Sequence, residues 1–136
     1  MPIISAIAGN TGLQSAAIVV RALDTGLISL DRWLEPIKRQ LQTTILIGSV
    51  VAIIVGTIGY LWEDTDKLLF GITVGVSMFI SINLSGVIGT IFPFISKKMG
   101  FDPAITSGPF ETAFQDVVGG AIFLTLATFL LTHPVI

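Results

Sequence analysis

Two stretches of this chain, residues 45–62 and 68–96, contain no Asp, Glu, Lys or Arg. The hydrocarbon core of a bilayer is about 30 Å thick and takes about 20 apolar residues to cross at a helical rise of about 1.5 Å each. Both stretches meet that requirement, and Tyr60 and Trp62 close the first with side chains suited to a membrane interface. Charged residues make up only 12% of the chain, against about 25% in a soluble domain. An ordinary soluble fold is therefore excluded. The net charge of -2 also excludes a nucleic-acid partner, which needs a basic footprint. With no Cys and one His, disulfide frameworks, thiolate or histidine-rich metal sites and Ser-His-Asp catalysis lack their residues. That histidine, His133, is expected at the interface past the last helix.

The expected fold is an all-α membrane protein forming one transmembrane domain over residues 1–136. Residues 43–62, 68–96 and 104–133 are expected to form three full spans. The second carries Asn83 near its middle and Pro93 near its end, where a kinked or frayed last turn is expected. The third carries Glu111 and Asp116 in its first half. Residues 1–26 are read as the end of a broken helix, because Gly9, Asn10, Thr11, Gly12, Gln14 and Ser15 interrupt an apolar run without a basic leader. Over residues 29–42, Leu30, Trp33, Leu34, Ile37 and Leu41 recur at helical spacing. This predicts a short helix lying in the interface, with Pro36 as a kink or as the first turn of a restarted helix.

Arg21, Arg32, Lys38 and Arg39 lie in one connector region and Lys97 and Lys98 in another on the same side, leaving Lys67 alone among the seven basic residues. The positive-inside rule then makes that side cytoplasmic, in a cell (inner) membrane, and turns residues 63–67 and the C-terminus outward. Small residues four apart, at Gly48, Ala52 and Gly56, at Gly71 and Gly75 and at Ser85 and Gly89, predict close helix packing.

Asp116 is the most informative side chain. An acid within a span costs about 2.5 to 3.5 kcal/mol on the insertion scale and usually faces a bundle interior or a watery cavity. Its helical column holds Gly108, Thr112 and Gly120, small enough to leave an aqueous passage beside the carboxylate. The competing reading is a structural carboxylate bonded to a neighbouring helix. Glu111 lies off the column, nearer the cytoplasmic end, with a solvated role and a pore role both open. In the segment Gly9-Asn10-Thr11-Gly12, glycines weaken the helix. Non-helical backbone there would expose carbonyl oxygens to a cation or to its water shell. A plain turn accounts for the tetrapeptide equally well.

Gly9-Asn10-Thr11-Gly12-Leu13-Gln14-Ser15, followed by Val19-Val20-Arg21-Ala22-Leu23 and Gly26-Leu27-Ile28-Ser29, resembles a segment of the MgtE family of divalent-cation transporters. Asp102-Pro103-Ala104, Ser107-Gly108-Pro109 and Asp116-Val117-Val118-Gly119 are similar to the family's final transmembrane segment. The resemblance implies Mg²⁺ transport by a homodimer with its pore on the two-fold axis. It places Asp116 as the pore carboxylate, Thr112 and Gly108 in its column, and Gly9 and Asn10 on the helix-break wall. Leu13 stands where several members carry a polar residue, and the cytosolic sensor domains usual in the family have no counterpart here. The family's unit has five helices. Against the three spans and one helix tail expected here, the resemblance implies a fragment, or helices supplied by a second polypeptide.

Elementary ion chemistry agrees. Mg²⁺ keeps several waters and binds through one or two carboxylates, whereas softer metals would call for Cys or clustered His. The expected cargo is Mg²⁺, with Mn²⁺ or another divalent cation as a further candidate, passed largely hydrated. The alternative is a non-transporting helical membrane module that packs against a partner chain. An enzyme is not expected, for want of a nucleophile and base pair.

Overall fold

The computed structural model describes residues 2–132, and His133 lies outside them. Helix α1 spans Pro2–Asp24, α2 Leu34–Trp62, α3 Lys67–Lys98 and α4 Pro103–Thr132, with a 3-10 turn at Leu30–Arg32. All four α-helices are long and apolar enough to cross a membrane. The expectation of three spans plus a helix remnant therefore gives way to four spanning-length helices.

Local chemistry sets the helix ends. Gly26 and Gly100 take positive φ, 73° and 85°, a region open to glycine at little cost. After each, the chain folds back: Leu27 N–H donates to Ala22 O at 3.0 Å and Phe101 N–H to Ser96 O at 3.0 Å, the bond that closes a glycine-terminated helix. Asp102 caps α4, its Oδ1 accepting from Ala104 N–H at 2.9 Å, with Pro103 in the first helical position where no N–H is needed.

Two expectations about segments are corrected. Residues 9–15 do not break: α1 runs through them as one helix of 23 residues, about 35 Å long. The glycine penalty of about 1 kcal/mol each is outweighed by the need to satisfy every backbone group within the segment. The glycines serve close approach instead. Gly12 lies against Gly89 of α3, whose added Cβ would collide with the Gly12 carbonyl. Residues 29–42 do not form a separate interfacial helix either. After the 3-10 turn, α2 runs unbroken for 29 residues, about 44 Å, so the polar first turns extend the span beyond the hydrocarbon. Pro36 sits in the first turn of α2, where its missing N–H costs nothing. Helix α3 likewise continues through Pro93 to Lys98.

Helix α3 is central and packs against the other three, while α1 also meets α4. Ile4 and Ala8 of α1 meet Met78 and Ile82 of α3 in the main apolar core. The predicted small-residue contacts join α2 to α3: a Cβ on Gly56 would lie 3.0 Å from Gly71 O, and one on Gly71 2.8 Å from Gly56 O. Asn83 adds a polar tie, accepting from Thr44 Oγ1 at 3.0 Å. Lys97 of α3 donates to Leu23 O at 3.4 Å and lies 3.9 Å from Asp24. The basic connectors after α1 and after α3 therefore share one end of the bundle.

Candidate cation site

A cleft of about 430 Å³ opens between α1 and α4. Of the residues singled out in the sequence, Gly9, Asn10, Thr112 and Asp116 all line it. Gly108 belongs to the same helical column but is not in the lining, and a Cβ there would come no closer to a neighbour than 4.0 Å, at Leu13 Cδ2. The arrangement follows from two helical faces. On α4, Thr112, Asp116 and Gly120 fall on one column, and on α1, Ser5 and Gly9 fall on another. The helices come close where both carry glycine: Gly9 sits 3.8 Å from Gln115 Cβ, and Gly119 3.9 Å from Ser5 Cα, measured from the Cβ each lacks.

Asp116 is the cleft's carboxylate and is exposed. Ser5 Oγ donates to its Oδ1 at 2.6 Å. Thr112 Oγ1 donates to Gly108 O at 3.1 Å, so its lone pairs are left to accept or to coordinate. Asn10 is exposed beside them. Asp116 stands near the middle of α4, with thirteen residues of the helix before it and sixteen after it. The expected carbonyl ligands of a broken α1 are not presented, because that backbone is helical. What the cleft offers an ion is one carboxylate with hydroxyl and amide oxygens, and room for on the order of ten waters at about 30 Å³ each. No group of three or more His, Asp or Glu side chains is placed to hold a metal ion among the described residues.

Glu111 is not solvated, and it does not line the cleft. It is 1% exposed, turned into the bundle against Gly12 of α1 and hydrogen-bonded to Ser85 of α3 at 2.7 Å. A Cβ at position 12 would collide with its carboxylate. Ser107, Glu111, Gln115 and Gly119 form a second column on α4, every member buried. It faces the buried serines of α3, Ser81 and Ser85. Sequence reasoning passed over Ser5, Gln115 and this column. The signal was present as polar or small residues four apart on both α3 and α4.

The family model of MgtE, described as a divalent cation transporter, matches residues 1–126. A magnesium transporter MgtE of Bacillus subtilis is 34% identical over 94% of this chain, and one of Thermus thermophilus 31% identical over 96%. A magnesium transporter MgtE of Enterococcus faecalis is 28% identical over 96%. The chain spans about 28% of the length of each of these relatives.

Proposed function

Because the chain belongs to the MgtE family of divalent cation transporters, we propose that its helices form an Mg²⁺ pore in which Asp116 is the ion-binding carboxylate. The observation that carries this reading is the place of Asp116: mid-helix, exposed, and lining a cleft with Asn10 and Thr112. A carboxylate facing lipid is costly, and a watery passage removes that cost. A second copy of the chain, related by a two-fold axis, would cover the same face and bring a second Asp116 to the passage. Two carboxylates with oxygen-bearing neighbours and retained water suit an ion that binds through few protein ligands. The relatives named as magnesium transporters support Mg²⁺ as the cargo, and the same oxygen ligands would accept Mn²⁺. The basic end of the bundle faces the cytoplasm of a cell membrane.

The Ser5–Asp116 hydrogen bond favours a second reading, a non-transporting module in which Asp116 ties α1 to α4. Asp116→Asn separates the two, since the amide keeps an acceptor for Ser5 but loses the charge. In proteoliposomes loaded with a Mg²⁺-sensitive dye, the wild type is expected to admit Mg²⁺. The Asn variant is expected to assemble normally and to lose about tenfold or more in rate, the worth of one charge-assisted contact of about 1.5 to 3 kcal/mol. Equal rates would remove Asp116 from the pore, and a wild type without flux would support the module.

A further inference from the structure

Helices α1 and α2 each pack on α3 but scarcely touch one another. Between them, at the basic end of the bundle, lies a second cleft of about 500 Å³, with Thr90 of α3 in its lining. Small-ligand pockets usually hold about 300 to 1,000 Å³. One wall is apolar, made by Ile18 and Val19 of α1 and by Leu27 and Ile28 of the connector. Ile18 and Leu27 are 65% and 80% exposed. Ile18 stands six residues before the end of α1, about 9 Å down the helix, so this wall opens on the side of the bundle at membrane depth.

The rim of the same cleft is charged. Arg32 and Arg39 line it with Glu35 between them. Arg32 Nη2 donates to Glu35 Oε2 at 2.7 Å and Arg39 Nη2 to Oε1 at 3.3 Å, so one carboxylate gathers both guanidiniums. No other acid among the described residues lines the cleft, which leaves one positive charge in excess. The two arginine side chains are 71% and 79% exposed, and a guanidinium has five N–H donors, most of them still open to an anion. The N-terminal end of α2, where Trp33 supplies no side-chain cap, adds the positive end of the helix dipole.

A free anion would answer the rim and leave the apolar wall bare. Another spanning helix would cover the wall and would have to bring its own acid to the rim. A phospholipid answers both, because the polar first turns of α2 lie beyond the hydrocarbon, at the depth of a headgroup. We propose that the cleft between α1 and α2 binds an anionic phospholipid of the leaflet at the basic end of the bundle. Its phosphate accepts from Arg32 and Arg39, Glu35 holds the two guanidiniums side by side, and an acyl chain runs down over Leu27, Ile28 and Ile18. Basic pockets between transmembrane helices hold lipid headgroups in this way. The seated lipid joins α2 to α1, the helix that also walls the Asp116 cleft. The assignment rests on the four helices spanning a bilayer and not on Asp116 passing an ion.

Native mass spectrometry of the full chain, released from nanodiscs of equal parts phosphatidylglycerol and phosphatidylcholine, tests it. Both lipids carry a phosphate, but only phosphatidylglycerol has a net negative charge to match the rim. The wild type is expected to retain phosphatidylglycerol in preference. Arg32→Gln and Arg39→Gln should each lower that preference about fivefold, the equivalent of about 1 kcal/mol per basic residue at a membrane surface. Lys38 is exposed beside Arg39 but outside the lining, so Lys38→Gln should keep the wild-type preference. Equal retention of the two lipids by the wild type would overturn the proposal and leave the cleft to another helix. A loss in Lys38→Gln as large as in the arginine variants would also overturn it, reducing the effect to diffuse surface charge. So would displacement of the lipid by excess inorganic phosphate, the mark of a site for a free anion.

Discussion

Ser5 and Asp116 are separated by 111 positions in the chain, yet the Ser5 hydroxyl donates to Asp116 Oδ1 at 2.6 Å. The bond joins α1 to α4 at the cleft and holds the carboxylate in one orientation. Its second oxygen makes no hydrogen bond among the described residues and is left for an ion or for water. On the proposed pore reading, a cation entering the cleft would meet a carboxylate whose rotamer is already chosen, which would lower the ordering cost of binding.

Ser5→Ala is expected to slow Mg²⁺ flux without abolishing it. The variant removes a hydrogen bond to a charged group but leaves the charge. The loss should stay at or below about tenfold, because solvent compensates an exposed carboxylate and the upper range of about 3 kcal/mol applies to buried ones. Dye-monitored uptake checks this, and a loss as deep as that of Asp116→Asn would make Ser5 a ligand itself.

Two glycines in the resemblance motifs should answer differently to alanine. A Cβ at Gly12 would run into the Glu111 carboxylate and Ser85 Oγ, whereas one at Gly108 reaches only Leu13 Cδ2 at 4.0 Å. Gly12→Ala should destabilise the bundle by about 1 to 3 kcal/mol, the usual cost of overpacking. Gly108→Ala should be close to neutral. Thermal unfolding of the two detergent-solubilised variants, followed by size-exclusion chromatography, compares them, and equal midpoints would contradict the α1–α4 packing.

The chain contains no cysteine, so single cysteines report topology without background. Ser29 follows α1 at the basic end and Thr65 lies in the opposite connector. A membrane-impermeant maleimide added to intact cells should label Thr65→Cys and spare Ser29→Cys. The reverse pattern would invert the orientation.

Cobalt hexammine, whose ligand shell exchanges too slowly to be shed, imitates a hydrated divalent ion in size. The cleft offers one carboxylate per chain and space for several waters, so this complex should compete with Mg²⁺ for entry. Flux unaffected by a large excess would indicate that the ion is stripped before it binds.

Much of this protein was readable without its fold. The uncharged runs of spanning length were legible because the thickness of a bilayer sets them, whereas Gly26 and Gly100 as helix ends and the Asp102-Pro103 start of α4, equally local and decided by hydrogen bonds within a few residues, went unread as helix boundaries. The spacing of Asp116, Thr112 and Gly120 needed only the period of a helix.

Tertiary structure decided how each helix is rotated against its neighbours, which periodicity leaves open. That rotation turned Thr112 and Asp116 to the cleft and the adjoining column of Glu111 and Gln115 to the interior. It also reversed the meaning of the glycines at 9 and 12. Taken alone they weaken a helix, but against Gln115 of α4 and Gly89 of α3 they are what allows an intact α1 to approach. The partners that settle this, from Gly12 with Gly89 to Ser5 with Asp116, lie between 77 and 111 positions apart. No local signal along the chain links them, because their contact exists only once the four helices have packed.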